Sequence, residues 1–455
     1  MQLEVHFTVM NSENEIPFTI VEEGNESDLY LYSKDGDNEY KYPLKNIDGI
    51  LKLREDNPFQ ENASIVDERL AGLSVDWLES RAQGFDNSFN VTFPGKPGYK
   101  PEDIYVENKP FSLKQIYDLI VNKDIELSPD FQRNFIWDKT RQSKLIESIL
   151  LGLPLPSIYL SQYDDGRLTV VDGLQRLYTI KRFMDNELVL SNLEYLENCN
   201  GYKFSELDDV LSPLRLRRFG QTQIMCFVID YRSPSQLKYD LFRRLNTGGK
   251  PLNNQEIRNC ISRPHVQKTL KNMIDSESFG LATDFSVKDT RMEAREAALR
   301  FIYFYEQYSE KNPLGDYNGD MEFTLDNFTD DLNKRSYEQL EKYINIYFIA
   351  LANAHHLFGR YCFRKVVPNA KNSRRTPVNK LMMMTLSILL SGYNPGKIVT
   401  NIEFESLVEP LAELIQSNDL FTALTYGTNG KWNIETSFKY FKEFLDNYIG
   451  DKDGQ

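Results

Sequence analysis

The sequence predicts an α+β protein in three parts: a small β-rich N-terminal module, a mixed αβ core and a mainly helical C-terminal domain. Three observations carry this reading. Over residues 1–50, apolar residues alternate with polar ones between turn signals. Between about residues 100 and 265, short strands alternate with helices that carry capping residues. Beyond that point the apolar spacing is almost all helical. At 455 residues the chain is too long for one ordinary core, and the pattern puts its parts at 1–95, 96–265 and 266–455.

In the first part, Val5, Phe7 and Val9 share one side of a period-two pattern. Leu29 to Tyr32 and Tyr40 to Tyr42 repeat it across Asp35-Gly36-Asp37. Residues 66–82 read as one helix, and Pro94-Gly95-Lys96-Pro97-Gly98 as a turn-rich linker. Residues 1–107 carry 9 Lys and Arg against 22 Asp and Glu, whereas the remainder carries 44 against 45. Nearly all of the net charge of −14 therefore lies in the N-terminal segment, which should repel phosphate backbones. That acidity serves solubility, docks a basic partner or mimics DNA charge.

In the second part, Ser112 is placed to cap a helix through Leu113, Ile116, Tyr117 and Ile120. Asp138 caps another, with Leu145, Ile146, Ile149 and Leu150 at helical spacing and Gly152 at its end. Ser157 to Ser161 reads as a strand, Asp164-Asp165-Gly166 as a hairpin turn and Leu168 to Val171 as the return strand. Asp172-Gly173 stops that strand, and Leu177, Ile180 and Phe183 then mark a helix. Ile224 to Tyr231 is a further strand. Asn246 to Lys250 is a loop before a helix opened by Asn253, with Glu256 at capping-box spacing. In the third part, helices are expected over Ala294 to Tyr305, Tyr337 to Phe358, Val378 to Leu390 and Phe438 to Tyr448.

Composition excludes several classes. The four cysteines (Cys199, Cys226, Cys260 and Cys362) form no CxxC pair, so neither a disulfide framework nor a metal site is expected. Met1-Gln2-Leu3-Glu4 does not open a secretory leader. The most apolar run, Leu381 to Leu390, is far shorter than the ~20 residues of a membrane span. A soluble, cytoplasmic protein without a membrane partner is expected.

The step Val170-Val171-Asp172-Gly173-Leu174-Gln175-Arg176 is the best candidate site. A helix N-terminus presents unpaired N–H groups and a positive dipole end, which suit phosphate. Gly173 permits close approach to the backbone. Arg176 adds a forked, permanent positive charge, and Gln175 is able to orient a water or a base edge. Asp172 either caps the helix or holds a metal ion that accompanies a triphosphate. The plain alternative is an ordinary capped helix with an arginine in its first turn. Upstream, Gln132 and Arg133 stand between aromatics in Ser128 to Trp137, where they either line a pocket or brace a loop.

These segments occur together with Gly152-Leu153-Pro154-Leu155-Pro156, Phe242-Arg243-Arg244-Leu245-Asn246-Thr247-Gly248-Gly249 and Leu252 to Arg258. In that order and spacing, residues 100–265 resemble the N-terminal domain of GmrSD-type restriction endonucleases, the DGQQR-motif family related in fold to ParB and sulfiredoxin. The resemblance implies a core that binds and hydrolyses a nucleoside triphosphate with Mg²⁺, in a prokaryotic system that attacks modified or phage DNA. Carried over, the motif implicates Asp172, Gln175 and Arg176 in catalysis. It implicates Gly173 and Arg176 in nucleotide binding, with Arg133, Gln132 and Asn246 in support. Leu174 departs from the family's first glutamine. Either a nucleotide contact is lost there, or the position faces the core and leucine is harmless.

Many relatives continue into an HNH nuclease, which needs histidines around a metal. Here the four histidines are His6, His265 and the adjacent His355-His356, so a separate nuclease subunit is expected to cut. Between 360 and 380 lie Arg360, Arg364, Lys365, Lys371, Arg374, Arg375 and Lys380 without an acidic residue. Of these, Arg364, Lys365, Lys371, Arg374 and Arg375 are expected either to contact DNA or to sit on a solvated loop. Arg215, Arg217 and Arg218 either line the triphosphate pocket or pair with carboxylates. The charges of Arg291 to Glu296 are expected either to form intrahelical salt bridges on a solvated face or to close over the nucleotide site. The rival to a hydrolase is a non-hydrolysing adaptor, in which nucleotide sets conformation or homo-oligomeric state and a separate nuclease is recruited to DNA.

Overall fold

In a computed structural model of the chain, residues 4–10, 15–23, 28–35, 38–47, 50–82, 100–127, 137–245, 252–368 and 376–450 are described. The N-terminal pattern folds as a five-stranded antiparallel meander in chain order: β1 (Glu4–Thr8), β2 (Glu15–Glu23), β3 (Asp28–Asp35), β4 (Asn38–Ile47) and β5 (Ile50–Leu53). Period-two alternation puts Phe7, Phe18, Leu31 and Leu51 on one face, where Phe59 and the helix α1 (Ala63–Ala82) cover them. Phe7 stacks on Phe59 at 4.3 Å between ring centroids.

The αβ part is built on a second sheet in the order β6 (Val106–Ser112), β10 (Gln223–Ile229), β8 (Ile158–Gln162), β9 (Leu168–Asp172), β7 (Ile125–Glu126). Between these strands run α2 (Leu113–Val121), α3 (Lys139–Leu151), α4 (Leu174–Met184) and α5 (Pro213–Gln221), with α6 (Ser235–Leu245) and α7 (Asn254–Ile261) after the last strand. Local chemistry sets the ends of these helices. Ser112 and Gln115 close a capping box on α2. Asp138 accepts from the Arg141 amide at 2.7 Å, and Gly152 ends α3 at φ 79. One sheet face buries Ile158, Leu160, Val170 and Val228 against α2 to α5, and the other buries Val171 and Ile229 against α6 and α7.

The remaining chain is helical. It includes α8 (Pro264–Ile274), α9 (Glu277–Ala282), α10 (Glu293–Gln307), α11 (Met321–Lys334), α12 (Tyr337–Phe358) and α13 (Lys380–Leu390). The apolar run that is too short to span a membrane is α13, buried along Leu381 to Leu390. Asn353 of α12 donates to the Leu390 and Tyr393 carbonyls, both at 2.9 Å. Among the described residues no helix is long and apolar enough to cross a membrane.

The segment Arg291 to Glu296 departs from expectation. Arg291, Glu293, Arg295 and Glu296 are buried, not solvated. Arg295 pairs with Asp289 at 2.8 Å, and Glu296 pairs with Arg300 at 2.7 Å. Lys380 lies 3.1 Å from Glu293 and 3.4 Å from Glu296. The chain pattern shows only local charge alternation, and the carboxylates found their partner more than eighty residues away. Burial pushes the Lys380 ammonium down, yet Glu293 and Glu296 outweigh it and hold its pKa above the usual value.

The chain divides into two compact units, one of residues 1–96, 253–255 and 265–455 and one of residues 97–252 and 256–264. Within the first, Tyr32 of β3 packs on Tyr426 at 4.6 Å between centroids, so the N-terminal sheet is joined to the C-terminal helices. The candidate motif lies entirely in the second.

Candidate functional site

The motif sits at the turn from β9 into α4. Asp172 ends the strand, and Gly173 takes φ 99, a conformation that side-chain-bearing residues rarely adopt. A Cβ there would also come within 2.9 Å of Ile158 Cγ1 and 3.1 Å of Arg176 Nη2. The glycine thus lets the turn lie directly on β8. Because Gly173 is the N-cap, no side chain caps α4, and Asp172 does not do so. The first-turn amides are left for another acceptor.

Arg176 reaches back across that turn. Its Nη2 donates to Asp172 Oδ2 at 2.8 Å and to the Ser157 carbonyl at 3.0 Å, and its Nη1 donates to the Pro156 carbonyl. The Arg176 side chain is 12% exposed and that of Asp172 34%. Three of its five N–H donors are therefore spent inside the fold, and Nε and one Nη1 hydrogen remain. Beneath it, burial pushes the Cys226 thiol up to about 11, with the Arg176 charge opposing. That leaves Cys226 a poor nucleophile at neutral pH.

The two glutamine positions of the motif differ in environment. Leu174 packs against the hydrophobic core of the αβ unit. Leu174 is half-buried there, the kind of contact that the core-facing alternative expects. Gln175, by contrast, has its Oε1 buried with no hydrogen-bond partner among the described residues. A buried acceptor left unpaired costs about 1–3 kcal/mol, which a water or ligand donor would recover.

Of the supporting residues, Gln132, Arg133 and Asn246 lie outside the described residues. Trp137, which closes the Gln132–Arg133 segment, is described. It packs on the same core as Leu174, its carbonyl accepts from Gln142 Nε2 at 2.9 Å, and the Arg141 guanidinium lies over its ring at 4.6 Å. Sequence reasoning also missed Glu147, a buried carboxylate of α3 that accepts from the Glu194, Tyr195 and Leu196 amides at 3.2, 2.7 and 2.9 Å. Burial opposes its ionisation, but those amides outweigh it and hold its pKa below the usual value. No motif marks it, because its partners are backbone groups.

The expectation for the basic 360–380 stretch is corrected in part. Arg364 is 1% exposed. Its guanidinium donates to the Arg360, Thr376 and Thr283 carbonyls and to Ser286 Oγ, so it is turned into the fold and is not presented to DNA. Lys365 is half-buried. Lys371, Arg374 and Arg375 lie outside the described residues. His356 Nε2 lies 2.8 Å from the Ile402 carbonyl, and His355 packs on Phe404. Among the described residues, no three His, Cys, Asp or Glu side chains gather as a metal site.

Residues 116–262 match the family model described as GmrSD restriction endonuclease, N-terminal domain. The chain carries a GmrSD N-terminal domain. The match begins inside α2 and ends after α7, so it spans the whole of β8, β9, α4 and β10, and the Asp172–Arg176 turn lies near its middle. No curated protein and no solved structure matches the chain.

Proposed function

We propose that this chain is a nucleoside-triphosphate-binding and hydrolysing component of a prokaryotic restriction or anti-phage system. Its GmrSD N-terminal domain would be a ParB/sulfiredoxin-like nucleotide core, set between an N-terminal module of residues 1–95 and a helical domain of residues 266–455. The observation that carries the reading is the uncapped turn into α4, with Asp172 held beside it by Arg176 and an unpaired Gln175 Oε1 in its first turn.

Each residue then has a physical role. The α4 amides receive a phosphate. Asp172 Oδ2 is taken by Arg176, and its other oxygen would hold a metal ion or accept from an attacking water. Gln175 Oε1 accepts from that water and orients it. Arg176 acts mainly through Asp172, as a positioning residue, and its remaining Nε–H and Nη1–H are the donors left for phosphate. Magnesium would arrive with the triphosphate and neutralise its charge. Asp172 is the carboxylate at the turn that would help to hold it. Gly173, Gln132, Arg133 and Asn246 complete the nucleotide site, DNA is the regulatory partner, and a separate cytoplasmic nuclease subunit does the cutting.

A second reading has its own support. The spent donors of Arg176 suit a domain that holds nucleotide without turning it over, as a switch that recruits the nuclease to DNA. Phosphate release from ATP, GTP, CTP and UTP with Mg²⁺, with and without DNA, separates the two. Turnover that is lost in Asp172→Asn and Gln175→Ala supports hydrolysis at this turn. Absence of turnover with every nucleotide sinks it, and nucleotide binding by the same proteins then supports the switch.

A further inference from the structure

The helix α5 carries Arg215, Arg217 and Arg218 on nine residues. Leu216 and Phe219 turn inward onto the core. At 100° per residue the three arginines and Leu214 then occupy the opposite arc, with Leu214 and Arg218 at its centre and Arg215 and Arg217 on either side. All three arginines are exposed, and Leu214 is 53% exposed between them. None of the three guanidinium groups forms an ion pair or hydrogen bond among the described residues, although Asp208 and Asp209 lie just upstream and are exposed. Elsewhere in this unit, Arg167, Arg176, Arg182, Arg232, Arg243 and Arg263 have carboxylate partners, and Arg141 lies over the Trp137 ring. Three like charges a turn or less apart repel one another mildly, and the fold makes no visible use of them.

The position of α5 gives the patch its meaning. The helix leads through Thr222 into β10, where Cys226 pairs with Ile158 of β8. Ile158 follows the Pro156–Ser157 carbonyls that hold Arg176. The arginine helix therefore enters the sheet at the end where the motif turn lies.

We propose that α5 is a docking face for the phosphate backbone of double-stranded DNA, with Arg215, Arg217 and Arg218 as phosphate contacts. Arginine suits this because its planar fork binds phosphate bidentately and is weakly hydrated. A chain of net charge −14 meets a polyanion only through a local patch of this kind. This proposal rests on DNA being the partner in the reading above, but not on hydrolysis.

The test is fluorescence anisotropy of a labelled mixed-sequence duplex against the full chain across a salt series, without nucleotide. Each phosphate contact adds about 0.9 to the magnitude of the slope of log affinity against log salt. Replacing all three arginines with alanine should weaken binding and reduce the slope by about 2.7. The three lysine replacements should keep most of the slope, and they are the comparison if the alanine variant misfolds. Nucleotide turnover without DNA should be unchanged in both variants. Failure of the intact chain to bind duplex at low salt would overturn the proposal. So would an unchanged slope in a folded alanine variant, or displacement by polyglutamate as readily as by duplex. Loss of DNA-free turnover would instead place these arginines at the nucleotide.

Discussion

Arg176 Nη2 lies 2.8 Å from Asp172 Oδ2 and 3.0 Å from the Ser157 carbonyl, so one guanidinium ties the end of β9, the start of β8 and the first turn of α4. The pair is one helical turn apart in sequence, yet the guanidinium also reaches the segment that leads into β8. Arg176→Ala leaves Asp172 and two carbonyls without that donor. Urea unfolding should show a loss of about 2–4 kcal/mol. Arg176→Lys keeps the charge but cannot reach all three acceptors and should recover less than half. If the alanine variant is as stable as the native protein, the bracing role is wrong.

Gly173→Ala meets two obstacles, a φ of 99 and a Cβ 2.9 Å from Ile158 Cγ1. The expected cost is about 1–3 kcal/mol, read as a lower denaturation midpoint. Ile158→Ala in the same chain removes the contact but not the dihedral strain. Recovery of part of the loss in that double variant, beyond the cost of Ile158→Ala alone, would separate the two causes.

Leu174→Gln introduces the glutamine that the resemblance expects but sets an amide against the core. A destabilisation of about 1–2 kcal/mol is expected, with no gain in nucleotide affinity. Tighter nucleotide binding, measured by isothermal titration calorimetry, would show that the position reaches the ligand after all.

Lys380→Met removes the cation between Glu293 and Glu296, 3.1 and 3.4 Å away. Two buried carboxylates then lose the cation that lies within reach of both, at a cost of about 3–5 kcal/mol. Adding Glu293→Gln should restore part of that loss, and a double-mutant cycle measures how much.

Two carboxylates give opposite pH dependences. Burial pushes Asp289 up to about 6 despite the opposing charge of Arg295, so the folded state binds a proton there that the unfolded chain has already lost. Its contribution to stability therefore falls by about 2–3 kcal/mol as pH rises from the unfolded carboxylate range through 6. Asp289→Asn should remove that fall in urea titrations across the window. Glu147 is held below its usual value, so its contribution is present above the unfolded value and is lost as pH drops through the folded one. In acid, Glu147→Gln should therefore lose less stability than the native protein does.

The sequence by itself determined what depends on near neighbours. The Ser112 and Asp138 caps, the Gly152 stop, the hairpin at residues 163–167, the long helix Tyr337–Phe358 and the turn at Asp172–Gly173 all follow from spacing within a few residues. The Asp172–Arg176 step was legible for the same reason, since its residues lie within one turn of chain. Only the tertiary structure decided where charges end up. Arg176 found the carbonyls just before another strand, Arg364 turned inward to Thr283, and Lys380 met Glu293 across eighty-seven residues. Leu174 and Gln175 are adjacent in sequence, yet one packs on the core and the other has an unpaired buried oxygen. Periodicity marks which side of an element is apolar. It does not say which distant element covers that side, and the covering element decides whether a charge is paired, buried or left open to a partner.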